Sequence, residues 1–285
     1  MTMRVLIPAG VLLMALSALA PARAAEGYDN CSGFVDALPA TIGTQGVWCL
    51  RADLGTALAS GTAVTIAANN VVLDCNDFKL GGLAAGAGTT AVGVYSSDRR
   101  NTTVRNCSIR GFRIGVRVVG GGGHLIEDNR LDGNLHMGIL ALGDASIVRR
   151  NEVRNTGKST NEGLVFGIQA VGAVDVLDNT VSGLRSRTGT NGNVFGIYTL
   201  QNDGSTVAGN RVRNLFPDGS GSSWGIRSYL TGRMALIGND VVGHAAAGST
   251  GIYCDEAQGR AKDNVVNGLA VAITGCGGAD NTVNP

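Results

Sequence analysis

The stretch Val176-Leu177-Asp178-Asn179-Thr180-Val181 decides the fold of this chain, because its pattern returns at regular intervals. The pattern is an apolar residue, two variable residues, Asn, one variable residue and a second apolar residue. Its copies begin at Leu73, Ile126, Val148, Val176, Val207 and Leu236, with weaker copies at Ala261 and Gly278. Its Asn residues are Asn76, Asn129, Asn151, Asn179, Asn210, Asn239, Asn264 and Asn281, and Cys107 takes this place in one further copy. A repeat spacing that is mostly 22 to 31 residues indicates a protein built from stacked repeats.

A second repeated mark is Gly followed by a β-branched residue. It occurs at Gly93-Val94, Gly115-Val116, Gly138-Ile139, Gly167-Ile168, Gly196-Ile197, Gly225-Ile226 and Gly251-Ile252, and Ala272-Ile273 continues the series. From each Gly to the next Asn position the spacing is 12 to 14 residues, whereas from each Asn position to the next Gly it varies from 8 to 17. Strands that stack in register cannot change length. We therefore expect half of each coil to be constant and one corner to take every insertion.

Short segments rich in Val and Ile, interrupted by Gly and Asn, predict strands rather than helices. The sequence lacks the Leu framework of leucine-rich repeats and the long 3.6-residue periodicity of helical repeats. We predict an all-β fold, a parallel β-helix (solenoid) of about eight coils, spaced about 4.8 Å apart. Apolar residues flank each Asn, which favours an internal ladder of stacked side-chain amides over an exposed turn.

Two segments carry a family resemblance. The residues from Ala63 to Asn76, which read AVTIAANNVVLDCN, resemble the opening coil of right-handed parallel β-helix repeat proteins of the pectate-lyase-like superfamily. The residues from Thr103 to Phe112, TVRNCSIRGF, resemble their second coil, and the resemblance extends over about residues 60 to 283. It implies a right-handed helix, in agreement with the usual hand of parallel crossovers. It implies no single activity, because the superfamily includes lyases, hydrolases, epimerases, copper-site accessory proteins and proteins without catalysis.

The first residues predict export. Arg4 supplies a positive charge, residues 5–20 form an apolar run, and Ala22-Arg23-Ala24 supplies an A-x-A cleavage pattern. This order is typical of a signal peptide cut after Ala24. The run is too short for a membrane anchor and contains Pro8. We predict a signal peptide at 1–24, an N-terminal cap at 25–60 and the β-helix at 61–285, in a secreted or periplasmic protein whose mature chain has no membrane span.

Six cysteines follow the predicted cleavage site, and none forms a C-x-x-C pair. An even number of cysteines in an exported chain favours disulfides over buried free thiols. Cys75 and Cys107 occupy nearly equivalent places on neighbouring coils, as do Cys254 and Cys276. The predicted disulfides are Cys31–Cys49 within the cap, Cys75–Cys107 and Cys254–Cys276.

Composition argues against several classes of partner. The net charge is +1 and 16% of the residues are charged, which does not indicate capture of nucleic acid or of an anionic membrane. His124, His136 and His244 are too few and too scattered for a metal site. We predict no metal and no cofactor, and the sequence leaves the oligomeric state open.

The insertions mark one face of the helix for function. The long ones, 155–165, 183–194, 215–224 and 243–250, lead into the Gly-Ile strands. The residue after each inward Ile should point outward. This outward row is Arg117, Leu140, Gln169, Tyr198, Arg227, Tyr253 and Thr274, and a second row two positions further on is Leu200, Tyr229 and Asp255. The predicted substrate-binding residues are Gln169, Tyr198, Arg227, Tyr229, Tyr253 and Asp255, beside the loop residues Lys158, Glu162, Arg185, Arg187, Asp218, Trp224 and His244. The alternative is a solvated sheet face whose tyrosines only cover neighbouring strands.

Aromatic rings with polar neighbours suit the faces of sugars, and Arg can neutralise a uronate carboxylate. Our first hypothesis is an exported β-helix protein that binds, or presents to, extracellular or cell-envelope polysaccharide. A second is a polysaccharide lyase or epimerase acting on uronate-containing glycan, with Arg227 beside a Tyr or Lys158. A third is a passive surface scaffold.

We assign no catalytic residue from the sequence. Asp255 and Glu256 are adjacent and would face opposite sides of a strand, so they do not form the carboxylate pair of a glycosidase. The Gly-His-Gly signature of polygalacturonase-like proteins and the Asp-Pro-His-Asp signature of alginate epimerases are absent. These absences favour binding over catalysis.

Overall fold

Short strands stack into three parallel sheets in a computed structural model, which describes residues 28–201, 204–230, 232–255 and 259–284. Each sheet has ten strands in the described residues, and successive coils contribute one strand to each sheet. The predicted all-β parallel β-helix is confirmed, with about nine turns rather than eight. The difference arises because residues 33–55 already supply strands to all three sheets.

Sheet I holds the Gly-Ile strands. They are β2 (Ala40–Ile42), β5 (Thr62–Ile66), β8 (Val92–Ser97), β11 (Ile114–Gly122), β14 (Met137–Asp144), β17 (Val165–Val171), β20 (Val194–Leu200), β23 (Ser223–Tyr229), β26 (Ser249–Cys254) and β29 (Val271–Thr274).

Sheet II precedes the Asn position in each coil. Its strands are β1 (Gly33–Phe34), β3 (Gly46–Cys49), β6 (Val71–Asp74), β9 (Thr103–Arg105), β12 (Leu125–Glu127), β15 (Ser146–Arg149), β18 (Val174–Leu177), β21 (Thr206–Ala208), β24 (Ala235–Ile237) and β27 (Arg260–Lys262).

Sheet III follows the Asn position. Its strands are β4 (Leu54–Gly55), β7 (Lys79–Gly81), β10 (Ser108–Arg110), β13 (Arg130–Asp132), β16 (Glu152–Arg154), β19 (Thr180–Arg185), β22 (Arg211–Phe216), β25 (Asp240–Val242), β28 (Val265–Asn267) and β30 (Thr282–Asn284). One short 3-10 helix, Leu83–Ala85, lies between β7 and β8.

The turn between sheets II and III contains the Asn ladder. From Asn129 to Asn264, each side-chain Nδ2 donates to the Oδ1 of the Asn on the next coil at 2.9 to 3.0 Å, and Asn281 ends the series. The same Oδ1 accepts the backbone N–H of the preceding ladder residue at 2.9 to 3.1 Å. Each Nδ2 also donates to a backbone carbonyl of the preceding coil. The ladder thus pairs buried backbone groups that the turn leaves without strand partners.

Asn76 does not belong to this ladder. Its φ is 47° and its Nδ2 donates to the Leu50 carbonyl at 3.2 Å. A disulfide between Cys75 and Cys107, with the two Cα atoms 4.7 Å apart, occupies the turn at this level. The ladder therefore starts at Cys107, whose backbone N–H donates to Asn129 Oδ1 at 3.0 Å.

The repeated Gly of sheet I is required by close packing. A Cβ on Gly196 would lie 2.4 Å from Val212 Cγ1 and 2.5 Å from the Gly225 carbonyl oxygen. Both contacts are shorter than van der Waals distance, so a side chain there would push sheets I and III apart. The Gly-Ile pair places this bare backbone next to an Ile that fills the core.

The core is a set of aligned apolar columns rather than one compact cluster. Val116, Ile139, Ile168, Ile197 and Ile226 form one such column in sheet I, and all are fully buried. Columns of Val and Ile from sheets II and III complete the interior. Because each level repeats the one below, a change of register would misplace every column at once.

The three predicted disulfides, Cys31–Cys49, Cys75–Cys107 and Cys254–Cys276, are present, and no described cysteine is free.

Strands β2, β3 and β4 pair in register with β5, β6 and β7. The segment for which we predict a cap is therefore continuous with the sheets, and its boundary at residue 60 stays a prediction. The signal peptide predicted at 1–24 lies outside the described residues. Within the described part of the chain, no helix is long and apolar enough to span a bilayer.

Removal of a ladder amide should destabilise the fold. Asn179→Ala leaves buried donors and acceptors of the neighbouring coils unpaired, and we expect it to lower the free energy of unfolding by about 2 to 3 kcal/mol. Asn284→Ala, at an exposed position of the last strand, is the control and should change it by less than about 0.5 kcal/mol. Urea denaturation followed by circular dichroism measures both. Equal effects of the two substitutions would contradict the structural role of the ladder.

Candidate functional site

Sheet I aligns the outward residues that the sequence predicts. Gln169, Tyr198, Arg227 and Tyr253 are Cα partners on β17, β20, β23 and β26. The row continues through Leu140, Arg117 and Tyr95 in one direction and to Thr274 in the other. Leu200 pairs with Tyr229 in the second predicted row. The structure therefore brings these side chains to one face, whereas their role in binding stays a prediction.

A stack of aromatic rings runs along the same face. The ring centroids of Phe166 and Phe195 are 4.8 Å apart with an interplanar angle of 9°, and those of Phe195 and Trp224 are 4.8 Å apart at 5°. We call Phe166, Phe195 and Trp224 the aromatic column. Their spacing is that of adjacent strands, because the three residues are register partners on β17, β20 and β23. Tyr198 contacts the rings of Phe166 and Phe195 at 5.7 and 5.2 Å.

The column lies on the outer side of sheet I because the alternation of the strand shifts at Gly. Phe166 and Phe195 are nevertheless buried there, with 8% and 6% exposure, whereas Trp224 is half-buried. Val165 and Ile168 both belong to the buried core, although three positions separate them. Gly167 is the additional residue between them, so Phe166 and Gln169 emerge on the same outer side. The same shift occurs at Gly196, which places Phe195 beside Tyr198.

Arg227 is the cation of this face. Its guanidinium carbon lies 4.8 Å from the Trp224 ring centroid, 5.3 Å from those of Tyr229 and Tyr253 and 5.8 Å from that of Phe195. Cation–π attraction at these distances holds the side chain among the four rings. Its Nε is buried and has no hydrogen-bond partner among the described residues. No described carboxylate forms an ion pair with Arg227, and its side chain is only half-buried, so the exposed part of the guanidinium is available to an acceptor from outside the chain.

Two of the tyrosines are held in their neutral form. Burial raises the pKa of Tyr198 above its ordinary value. The Tyr253 hydroxyl donates to Asp255 Oδ1 at 3.1 Å, and this hydrogen bond is the main reason that the pKa of Tyr253 is raised. Neutral phenols donate and accept hydrogen bonds, as sugar hydroxyls require, but they are not ready proton acceptors.

The insertion at 155–164 runs back along the helix toward its N-terminal end. The Thr160 backbone N–H donates to the Ala87 carbonyl, and Asn161 Nδ2 donates to the Gly88 carbonyl at 3.0 Å. Glu162 forms an ion pair with Arg113 at 2.6 Å. These anchors are on the segments that lead into β8 and β11, so this insertion extends over earlier coils. It also lies beside the next insertion, because Ser186 Oγ donates to the Gly163 carbonyl at 2.6 Å and the Arg187 guanidinium donates to the Thr160 carbonyl.

The insertions at 183–194 and 215–224 also stack side by side. Asp218 Oδ2 accepts the backbone N–H groups of Thr190 and Asn191 at 2.9 and 3.1 Å. Ser222 N–H donates to Asn193 Oδ1 at 2.8 Å. Of the predicted loop residues, Arg187 and Asp218 thus fasten one insertion to another, and Glu162 fastens its insertion to Arg113 before β11. Lys158 is exposed, and Trp224 joins the aromatic column. Arg185 and His244 both contact Phe216, away from the column.

His136 closes the N-terminal end of the column. Its ring meets Phe166 edge-on at 5.8 Å, and its Nδ1 lies 2.8 Å from the Leu164 carbonyl oxygen. Burial lowers the pKa of His136, and the nearby Glu162 only partly offsets this effect. The neutral imidazole therefore extends the packed column rather than adding charge to it.

The composition of the cluster suits binding more directly than catalysis. Asp255 is the single carboxylate among the predicted binding residues, whereas glycoside hydrolysis needs two. Glu256 lies outside the described residues. In the described ranges, no three His, Cys, Asp or Glu side chains meet as a potential metal site.

Sequence reasoning missed Phe166, Phe195 and His136. A signal for the first two is present: an aromatic residue precedes the Gly-Ile pair in VFGI at 165–168, VFGI at 194–197 and SWGI at 223–226. Strict alternation counted backward from Ile places that aromatic residue inside. The shift at Gly could be inferred only from the packing of Val165 and Ile168 in the same core.

Comparisons with known proteins identify the repeat. A family model described as right handed beta helix region matches residues 55–212, which is more than half of the chain. No curated protein matches the sequence. Among solved structures, the enzymatically active domain of tailspike protein 2 from bacteriophage CBA120 is similar, with a TM-score of 0.57, 13% identity and coverage of 89% of this chain and 41% of that one. This chain therefore spans about two fifths of the tailspike domain.

A second similar structure is the A-module of a mannuronan C-5 epimerase from Azotobacter vinelandii. The TM-score is 0.51, the identity is 10%, and the alignment covers 90% of this chain and 92% of the module. At such identities the similarity shows a shared fold.

The buried imidazole of His136 makes a pH-dependent contribution to stability. Its folded-state pKa lies below the ordinary value of 6.5, so the unfolded chain takes up more protons as the pH falls through that value. Stability should therefore decrease from about pH 7 to about pH 5, and His136→Gln should reduce this decrease. His244→Gln, at an exposed position, should leave it unchanged. Thermal unfolding across this pH range is the measurement, and an unaltered pH dependence in His136→Gln would contradict the account.

Proposed function

Because the chain belongs to the right-handed β-helix family, whose shared fold presents a long, regular outer face, we propose that sheet I binds an extracellular or cell-envelope polysaccharide. The proposed site covers the aromatic column and the row from Gln169 to Asp255. The observation that carries the proposal is the stack of Phe166, Phe195 and Trp224 with Arg227 beside it. Two proteins of similar fold support it: one is a module of a mannuronan C-5 epimerase, and the other is an enzymatically active tailspike domain.

The geometry suits a linear ligand. Phe166 and Phe195 are buried, so a ligand would contact the partly exposed Trp224, Tyr198 and Tyr253. These residues lie on three successive coils, so a polymer lying along the helix axis could contact all three. The apolar faces of sugar rings pack on aromatic rings, while neutral tyrosine hydroxyls and the Gln169 amide suit sugar hydroxyls. Arg227 adds a cation that is not committed to an acid among the described residues, which favours a carboxylate-bearing sugar.

Export follows from the same proposal. A polysaccharide of the cell envelope or exterior lies beyond the cytoplasmic membrane, and the predicted signal peptide would take the chain there. Three disulfides are compatible with an oxidising compartment.

A lyase or epimerase acting on uronate-containing glycan is the second candidate. Arg227 lies within 5.3 Å of the rings of Tyr229 and Tyr253, and the fold is similar to that of an enzyme named for epimerising mannuronan. Arg227 would neutralise the uronate carboxylate, and Tyr229 would be the group within reach of the sugar ring. The raised pKa of Tyr198 and that of Tyr253 make these two residues poor bases, which favours binding as the first proposal.

Polysaccharide binding should depend on the column and not on the sheet in general. Trp224→Ala removes one stacking platform and should weaken binding about tenfold, or about 1.4 kcal/mol, to any glycan that binds. Tyr95→Ala, in the same outward row but four strands before Tyr198, is the matched control and should have no effect. A panel of immobilised neutral and acidic polysaccharides provides the measurement. Absence of binding across the panel would favour the passive scaffold, and equal losses in both variants would exclude the column as the site.

The charge of the glycan can be tested separately. Arg227→Gln should weaken the binding of uronate-containing polysaccharides about tenfold or more and should change the binding of neutral ones much less. Affinity measured for an acidic polysaccharide and its carboxyl-reduced form gives this difference. Equal effects on the two forms would contradict the role of Arg227 as a carboxylate partner.

Catalysis would produce a separate signal. A lyase releases an unsaturated uronate that absorbs in the ultraviolet, and an epimerase exchanges the C5 proton with solvent deuterium. For the binding protein that we propose, neither signal should appear with acidic polysaccharides. Either signal, if lost in Tyr229→Phe, would replace the first proposal with the second.

The export proposal predicts the start of the mature chain. Expression with the full sequence in a Gram-negative host should place the protein in the periplasm, with Ala25 as its first residue. Mass spectrometry of the purified protein measures this. An intact Met1 or a cytoplasmic location would contradict the proposal.

A further inference from the structure

A cavity of about 280 Å³ lies at the edge of the helix, and its lining includes Ser223 and Gly225 of β23 but no residue of the aromatic column. It is enclosed between the carboxyl ends of sheet III strands and the insertions at 217–221 and 243–247. Its deep wall is apolar and is formed by Leu215, Gly225, Val241 and Leu269. We call it the edge cavity. Val241 and Leu269 are almost fully buried, so the wall belongs to the packed body of the helix and is preformed.

The rim of the edge cavity carries a cation on an aromatic stack. The guanidinium carbon of Arg185 lies 4.3 Å from the Phe216 ring centroid. The His244 ring also stacks on Phe216, with the ring centroids 6.1 Å apart and an interplanar angle of 30°. Arg185 and Phe216 are register partners at the ends of β19 and β22, so the sheet fixes their relative position.

Arg185 has no ionic partner in the part of the chain that the structure describes. Seven arginines, at positions 51, 105, 113, 149, 150, 154 and 211, each have an acidic partner within 3.4 Å, but no described carboxylate pairs with Arg185. Its backbone N–H donates to the Thr156 carbonyl, which leaves the guanidinium donors for another acceptor. An apolar hollow with one uncommitted cation at its mouth has the chemistry of a site for an amphiphilic anion.

We propose that the edge cavity binds a small carboxylate with a flat apolar body, such as an aryl or arylalkenyl acid. The carboxylate would accept two hydrogen bonds from the guanidinium fork of Arg185. The flat body would enter the cavity beside Phe216 and bury its surface against Leu215, Val241 and Leu269. A volume near 280 Å³ is at the lower end of ligand pockets and suits a molecule with one ring.

The edge cavity is independent of the proposed polysaccharide site. Its rim residues are on sheet III and on the 243–247 insertion, whereas the aromatic column and Arg227 are on the outer face of sheet I. Failure of polysaccharide binding would therefore leave this proposal unaffected, and the reverse also holds.

Isothermal titration calorimetry of the full chain tests the ligand class directly. The probes are cinnamate, which has both charge and ring, cinnamyl alcohol, which has the ring without the charge, and acetate, which has the charge without the ring. We expect saturable binding of cinnamate with one site per chain. The alcohol and acetate should each bind at least about tenfold more weakly, because each lacks one of the two contacts.

Two variants locate the site. Arg185→Gln should weaken cinnamate binding at least about tenfold and leave the affinity for cinnamyl alcohol unchanged, a split that a purely structural role of Arg185 would not produce. Ala247→Leu, at the cavity lining, should weaken both ligands by filling the space. Arg213→Gln is the matched control, since Arg213 is an exposed arginine of β22 that does not line the cavity.

The outcomes that would overturn the proposal are distinct. Two results with the unaltered protein would reject the ligand class. In one, cinnamate shows no saturable binding up to millimolar concentration; in the other, the acid and the alcohol bind equally. With folded variants, cinnamate binding that survives Arg185→Gln, or that Arg213→Gln reduces equally, rejects the site. The ligand comparison on the unaltered protein holds even if a variant fails to fold.

Discussion

The rest of the structure depends on the in-register stacking of coils about the Asn ladder. Each amide from Asn129 to Asn264 binds the coil on either side, so the turn between sheets II and III has the same geometry from level to level. A buried amide without these partners would cost about 1 to 3 kcal/mol, which selects strongly for one register. With that turn fixed, the apolar columns align and the Gly of sheet I meets the carbonyl of the next Gly closely enough to exclude any side chain.

The same constraint determines where variation occurs. The segment from the Gly of sheet I to the Asn position keeps 12 to 14 residues in each coil, so most added residues collect between sheets III and I, where they can leave the stack. There they bind one another, as Asp218 does with Thr190 and Asn191, or reach back over earlier coils, as Glu162 does with Arg113. Register stacking also converts an aromatic residue repeated on three strands into a continuous column. The proposed binding face is thus a consequence of repetition, and so is the pairing of Arg185 with Phe216 beside the edge cavity.

Much of the fold and of the outward row could be predicted from the sequence, since the spacing of the repeat shows which residues of successive coils align. The row of Gln169, Tyr198, Arg227 and Tyr253 follows from counting one residue beyond each inward Ile, and the structure places those residues as strand partners. The aromatic column could not be predicted in this way, because Gly167 and Gly196 shift the alternation that the counting assumes. Asn76 matched the pattern but stands outside the ladder, because a disulfide occupies that level. The contact between Glu162 and Arg113 joins residues 49 positions apart, and no local pattern encodes it.

The central claim is that the aromatic column on sheet I is a polysaccharide-binding surface. Trp224 reports on it directly, because the chain has two tryptophans and Trp48→Phe leaves Trp224 as the single one. The measurement is the emission of that variant during titration with a polysaccharide that the protein binds. Our account predicts a saturable change in intensity and wavelength, with the midpoint equal to the independently measured dissociation constant. Saturable binding with unchanged Trp224 emission would place the glycan elsewhere and contradict the account.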